Sequence, residues 1–137
     1  MGFDIAGVHH VTFNVTDLDR ARHFYEGVLG LEKDQDFEGY KLRVKLGPHT
    51  RLVLVNPLPG TPENDRFSEY RVGLDHISLR VPDRANLERL IAALSAAGIE
   101  NSGIQHDKAD PDNGPGVVCF RDPDNIAWEF FEAPPKP

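Results

Sequence analysis

A single cysteine, Cys119, stands among 137 residues, so the chain can form no internal disulfide and offers no zinc site of the thiolate type. Any metal it binds must be held by histidine and carboxylate. Positive charge is also short, with 15 Lys and Arg against 22 Asp and Glu, a formal net charge of −7 and a pI near 5.3. Nucleic acid and anionic membranes both demand a basic face, so neither is expected as a partner. No apolar run is long enough to span a bilayer, and Met1 to Ile5 carries no signal-peptide pattern; the expectation is a cytoplasmic protein. A P-loop, a dinucleotide-phosphate loop and a nucleophile elbow are missing as well. What remains is one ordinary domain, 39% hydrophobic and 27% charged, with enough chain to bury a core.

The chain does contain a repeat. Gly7-Val8-His9-His10-Val11-Thr12-Phe13-Asn14-Val15 returns as Gly73-Leu74-Asp75-His76-Ile77-Ser78-Leu79-Arg80-Val81. Each copy is followed by an Asp, Asp17 or Asp83, and by a helix-like segment ending in Leu-Gly or Ala-Gly. Read as strands, whose successive side chains alternate between faces, the first copy puts Val11, Phe13 and Val15 on an oily face and His10, Thr12 and Asn14 on a polar one. The second copy divides the same way, with His76, Ser78 and Arg80 on the polar side. His10 and His76 thus hold matching places, whereas His9 falls on the oily face and reads as a packed or edge histidine.

Thr16 or Asp17 can cap a helix whose apolar positions Ala21, Phe24, Tyr25, Val28 and Leu29 follow helical spacing, with Gly30 as its left-handed C-terminal cap. Strands are expected over Leu31 to Phe37, Tyr40 to Leu46 and Arg51 to Asn56, with the turn Gly47-Pro48-His49-Thr50 before the last. In the second unit Asp83 caps a helix carrying Leu87, Leu90, Ile91 and Leu94, closed by Gly98. Strands then follow over Ile99 to Gln105, Gly116 to Arg121 and Ile126 to Glu132, the last two joined by the turn Asp122-Pro123-Asp124-Asn125. The spacing predicts an α+β domain over residues 1–137 made of two β-α-β-β-β modules, about 7–56 and 73–132, joined by a loop over 57–72. The polar stretch from His106 to Gly116 reads as a loop suited to substrate selectivity, and the tail from Ala133 to Pro137 as unstructured.

Glu129 sits inside the apolar strand Ile126-Ala127-Trp128-Glu129-Phe130-Phe131, where an uncompensated charge costs several kcal/mol. Three arrangements would relieve it. A divalent cation held with His10 and His76 would complete a two-histidine, one-carboxylate site with open positions. An arginine partner, Arg80, Arg121 or Arg43, would serve equally, and so would an exposed face. Aligning the two modules places Leu54 where Glu129 stands, so the first module offers no carboxylate there.

Taken together, His10-Val11-Thr12-Phe13-Asn14-Val15, Asp17-Leu18, Phe24-Tyr25, Leu29-Gly30-Leu31, the His76 strand and Phe120-Arg121-Asp122-Pro123-Asp124-Asn125 leading to Glu129 resemble the vicinal oxygen chelate superfamily, from Val8 to Glu132. The resemblance implies paired modules whose sheets curl into an open cup, helices outside, with a divalent ion (Fe, Mn, Ni or Zn) on His10, His76 and Glu129. Glu129 would also be the catalytic carboxylate. It further implies a small oxygenated substrate and a homodimer whose sites draw residues from both chains. Glyoxalase I and the related epimerase place a fourth ligand where this chain has Leu54. Three ligands instead resemble the fosfomycin-type thiol transferases and the extradiol dioxygenases, for which His49, His106, Tyr40 and Tyr70 are the available supporting groups. The reading is therefore a metal-dependent lyase, isomerase, transferase or dioxygenase. Its alternative is a bleomycin-resistance type of protein that binds an antibiotic without chemistry.

Overall fold

The computed structural model describes residues 2–106 and 114–133; the centre of the expected selectivity loop, 107–113, and the tail, 134–137, lie outside them. The chain divides into two compact units, residues 1–64 and 65–137. The first runs β1 (His10–Asn14), α1 (Leu18–Arg22), β2 (Lys33–Phe37), β3 (Lys41–Lys45) and β4 (Arg51–Val55). The second runs β5 (Ile77–Val81), α2 (Arg84–Ala96), β6 (Gln105–His106), β7 (Gly116–Arg121) and β8 (Ala127–Glu132). Each unit is β-α-β-β-β with a four-stranded mixed sheet, ordered β1-β4-β3-β2 in one and β5-β8-β7-β6 in the other. In each, the first strand runs parallel to the last and the other pairs are antiparallel.

Alternation sets the two faces of each sheet. Phe13 and Val15 are buried while His10, Thr12 and Asn14 are exposed, and Leu42, Val44, Leu52 and Leu54 are wholly buried between outward-facing neighbours. In the second unit Val81 is buried and His76, Ser78 and Arg80 are exposed. Helix α2 begins where the Asp83 carboxylate accepts the Asn86 N–H at 3.1 Å, and it buries Leu87, Leu90 and Leu94. Each such leucine contributes roughly 1.5–3 kcal/mol. Gly98, at φ +70°, supplies the left-handed stop.

The first helix departs from simple helical spacing. Asp17 caps α1 by accepting the Arg20 N–H at 3.0 Å, but from His23 to Val28 the chain is π-helical, and the Leu29 N–H reaches back five residues to Phe24 O at 2.9 Å. Gly27 contributes little to an α-helix, and the wider turn admits the adjacent rings of Phe24 and Tyr25 to the core together, edge to face at 4.9 Å.

The strand expected over Ile99 to Gln105 is mostly absent: only Gln105–His106 and a bridge between Asn101 and Phe120 form. Side chains take over the hydrogen bonds there. Ser102 Oγ accepts the Cys119 N–H at 2.8 Å, and Asn101 Oδ1 accepts the Gly103 N–H at 2.9 Å, a substitution open to short polar residues. The closing turn forms around the buried Asp122, whose Oδ1 accepts the N–H groups of Asp124 and Ile126 at 2.9 and 2.8 Å. Asn125 adopts φ +71°, which asparagine tolerates. The end of the connecting loop docks on this turn, since Arg121 grips Glu69 through both terminal nitrogens, at 2.9 and 2.8 Å, and Asn125 Nδ2 donates to Phe67 O at 3.0 Å.

Candidate metal centre

On the polar face of the second sheet, His76 Nε2 lies 3.6 Å from Glu129 Oε1. Two donors sharing one tetrahedral ion stand roughly 3.4 Å apart, so this pair fits a metal edge with little adjustment. The other ring nitrogen is already engaged, with His76 Nδ1 2.7 Å from Asp75 Oδ1. A carboxylate behind an imidazole fixes its tautomer and strengthens it as a ligand. The Asp75 hydrogen bond, helped by the charge of Glu129, holds the His76 pKa above its ordinary value against partial burial. Cys119 Sγ lies 3.8 Å from Glu129 Oε2, and burial, with the same carboxylate's charge, pushes its thiol pKa up. These side chains border a cavity of about 480 Å³ that also includes Glu100 and Trp128, a size that suits a small ligand.

None of the three arginines considered for Glu129 pairs with it among the described residues. Arg121 holds Glu69, Arg43 holds Asp34, and Arg80 donates to Ala133 O. Glu129 is not fully exposed either, at 20%. Its close partners are the imidazole and the thiol.

His10 belongs to the first unit. Its Nδ1 lies 2.8 Å from Nδ1 of His9, one ring donating and the other accepting, which leaves His10 Nε2 open. Of the packed and edge readings for His9, the edge one holds: it is exposed, just before the first ladder residue of β1, and its ring turns to its neighbour. The same relation recurs between Asp75 and His76, so in both modules the preceding residue anchors the histidine. Sequence reading missed both anchors, although the repeat aligned them. Among the described residues no group of three or more His, Cys, Asp or Glu side chains that could hold a metal comes together; the structure joins His76 with Glu129 and carries His10 on the other unit.

The ladders correct the alignment of the modules. Thr12 pairs with Val53 in the first sheet, and its counterpart Ser78 pairs with Glu129 in the second. Val53, not Leu54, is the equivalent of Glu129, and Leu54 faces the core. The two turns are equally long, five residues each between the end pairs Lys45–Arg51 and Arg121–Ala127; matching Pro48 to Pro123 in sequence slips the alignment by one residue from the ladder register. Valine, like leucine, cannot coordinate. Of the supporting groups considered, Tyr40 and Tyr70 are exposed at 62% and 93%, His49 is exposed on its turn, and His106 bonds Gly114 O.

Each unit carries a histidine at the start of its first strand, His10 opening β1 and His76 immediately before β5, and residues 7–130 match the family described as the Glyoxalase/Bleomycin resistance protein/Dioxygenase superfamily. The chain belongs to that superfamily. It is 27% identical over 133 residues to "Uncharacterized protein YwkD" of Bacillus subtilis (strain 168), covering 93% of this chain and 98% of that one. Its fold is similar to a glyoxylase/bleomycin resistance protein/dioxygenase domain from Frankia sp. EAN1pec, with a TM-score of 0.79 and 28% identity over 95% of this chain and 99% of the other. A lactoylglutathione lyase from Agrobacterium tumefaciens (TM-score 0.69, 24% identity, covering 94% and 95%) shares the fold. So does TnmS3, an antibiotic-binding protein from Streptomyces sp. CB03234 (TM-score 0.66, 23% identity, covering 96% and 98%). No helix among the described residues is long and apolar enough to cross a membrane.

Proposed function

We propose that the chain is a divalent-metal-dependent enzyme acting on a small oxygenated substrate, with His10, His76 and Glu129 as ligands and Glu129 as the catalytic carboxylate. The observation that carries this reading is the His76–Glu129 pair, 3.6 Å apart and backed by Asp75, with Arg121, which lines the same cavity, engaged by Glu69 instead. When bound, the ion supplies Lewis-acid polarisation of adjacent substrate oxygens. The chain's own residues do the rest. Asp75 fixes the His76 ring, His9 does the same for His10, and the raised pKa of Cys119 keeps a second negative charge away from Glu129. Glu129 is then the group on this face able to take up or return a substrate proton. The active form is a homodimer in which the site draws His10 from one chain and His76 and Glu129 from the other. Exposed Phe3, Ile5 and Val8 before β1, and Tyr70, Val72 and Leu74 before β5, are apolar surface suited to such an assembly.

Elemental analysis of untreated protein tests the reading, with one divalent ion per chain expected and its loss in His76→Ala and Glu129→Gln. No metal, even after reconstitution with iron, manganese, nickel and zinc, would overturn it. The second reading, a binder of basic drugs, is favoured by the carboxylates of Asp75, Glu100 and Glu129 around one cavity, and that result would leave it standing.

A further inference from the structure

The polar face of the first sheet reverses the charge of the chain as a whole. Lys41, Arg43 and Lys45 of β3 and Arg51 of β4 share it with His10, Thr12 and Asn14, as the ladder pairs His10 with Arg51 and Arg51 with Lys45 require. We propose that Arg43 and Arg51 form an anion-binding subsite beside His10 that takes a carboxylate or phosphate group of a small ligand. It rests on the proposed function only in making that ligand the substrate.

Three observations carry the proposal. First, a β-bulge between Lys33 and Gln35 turns Asp34 onto this face, a device common near functional sites. There both guanidiniums converge on one oxygen, with Arg43 Nε and Arg51 Nε at 2.6 and 3.4 Å from Asp34 Oδ2. One carboxylate between two cations leaves a positive charge over. Second, donors remain. Arg43 Nη2 is used by Gln35 and Arg51 Nη1 by Thr50 O, whereas Arg43 Nη1 and Arg51 Nη2 make no hydrogen bond among the described residues. Both side chains are partly shielded, at 37% and 24% exposure, where contact with an anion is worth more than on open surface. Third, the fold does not demand these arginines. In the second module the ladders put Cys119 at the place of Arg43 and Ala127 at the place of Arg51, and the same sheet forms with neither charge.

The test is calorimetric titration of chelator-treated protein with succinate and with inorganic phosphate, at matched ionic strength in chloride; the stronger of the two identifies the anion class. Saturable binding is expected in the wild type, weakened about tenfold by Arg43→Gln or Arg51→Gln and unchanged in Lys41→Gln. Asp34→Asn should tighten binding several-fold, since it removes the competing internal anion. A purely structural trio would instead lose stability and bind nothing better. Should a glutamine variant fail to fold, Arg43→Lys keeps the charge without the fork and should bind more weakly than wild type. Absence of binding in the metal-free wild type, binding untouched by both arginine variants, or equal loss in Lys41→Gln would overturn the proposal. Binding that arises only on adding zinc sinks the subsite and spares the metal reading, while metal-free binding in a protein that never takes up metal does the reverse.

Discussion

Replacing Asp75 by Ala should weaken metal binding at His76 without removing a ligand. The carboxylate sits 2.7 Å from His76 Nδ1, and loss of such an outer partner costs about 10–100-fold in metal affinity. Asp75 is 75% exposed, so water replaces part of what it gives and the loss should lie near tenfold, the low end of that range. The pH of the measurement matters. Asp75 and Glu129 hold the His76 pKa up, and proton and metal compete for Nε2, so wild-type affinity climbs with pH until the raised value is passed. In the variant that climb ends at lower pH, which masks part of the loss in mildly acidic buffer. The comparison therefore belongs at about pH 8, well above an ordinary imidazole pKa of about 6.5, by zinc competition against a chromophoric chelator, with the His76 titration followed by NMR. In metal-free protein the pair's contribution to stability is full below the unfolded value near 6.5 and is lost as pH rises through the raised folded value. An affinity equal to wild type at pH 8, or a His76 pKa that does not fall, would show that Asp75 neither orients nor charges the ring.

Two further outcomes follow from packing and linkage. Phe13→Asp buries a carboxylate where Phe13 is 7% exposed, a cost of several kcal/mol against a total stability of about 5–15 kcal/mol, so no folded protein is expected; a soluble variant with cooperative thermal unfolding would refute the strand phase. Glu69→Gln removes the anchor of the connecting loop. The Arg121 hydrogen bonds lower the Glu69 pKa from 4.5 to about 2, so its contribution is present above 4.5 and disappears as pH falls towards 2. The melting-temperature gap to wild type should therefore be full at neutral pH and close across that range, and a gap independent of pH would count against the ion pair.

Much of the fold was legible because alternation and capping are local. Asp17, Asp83, Gly30, Gly98 and the Asp122 turn act through neighbours a few residues away, and the burial of Phe13, Val15 and Val81 follows from a period of two. What escaped depends on pairing. The β-bulge at Asp34 and the one-residue offset that makes Val53 the equivalent of Glu129 are set by the partner strand. The strand expected over Ile99 to Gln105 is supplanted by a Ser102 bond to Cys119 on another strand together with a local Asn101 bond to Gly103. The π-helical stretch is a matter of fitting two adjacent aromatic rings into one core, which spacing alone does not encode. At the candidate site, the exposed polar face bearing His76 was readable from the strand, while the anchors His9 and Asp75 were hidden in plain view beside the histidines they hold.

The lone thiol in this chain, that of Cys119, sits 3.8 Å from the carboxylate at the heart of the candidate centre. With a thiol held protonated and no other cysteine to confuse the signal, its alkylation rate becomes a single-site gauge of what happens at Glu129. Whatever seats itself there, ion or organic guest, must change the reactivity of Cys119, so the molecule carries its own occupancy meter without any added label.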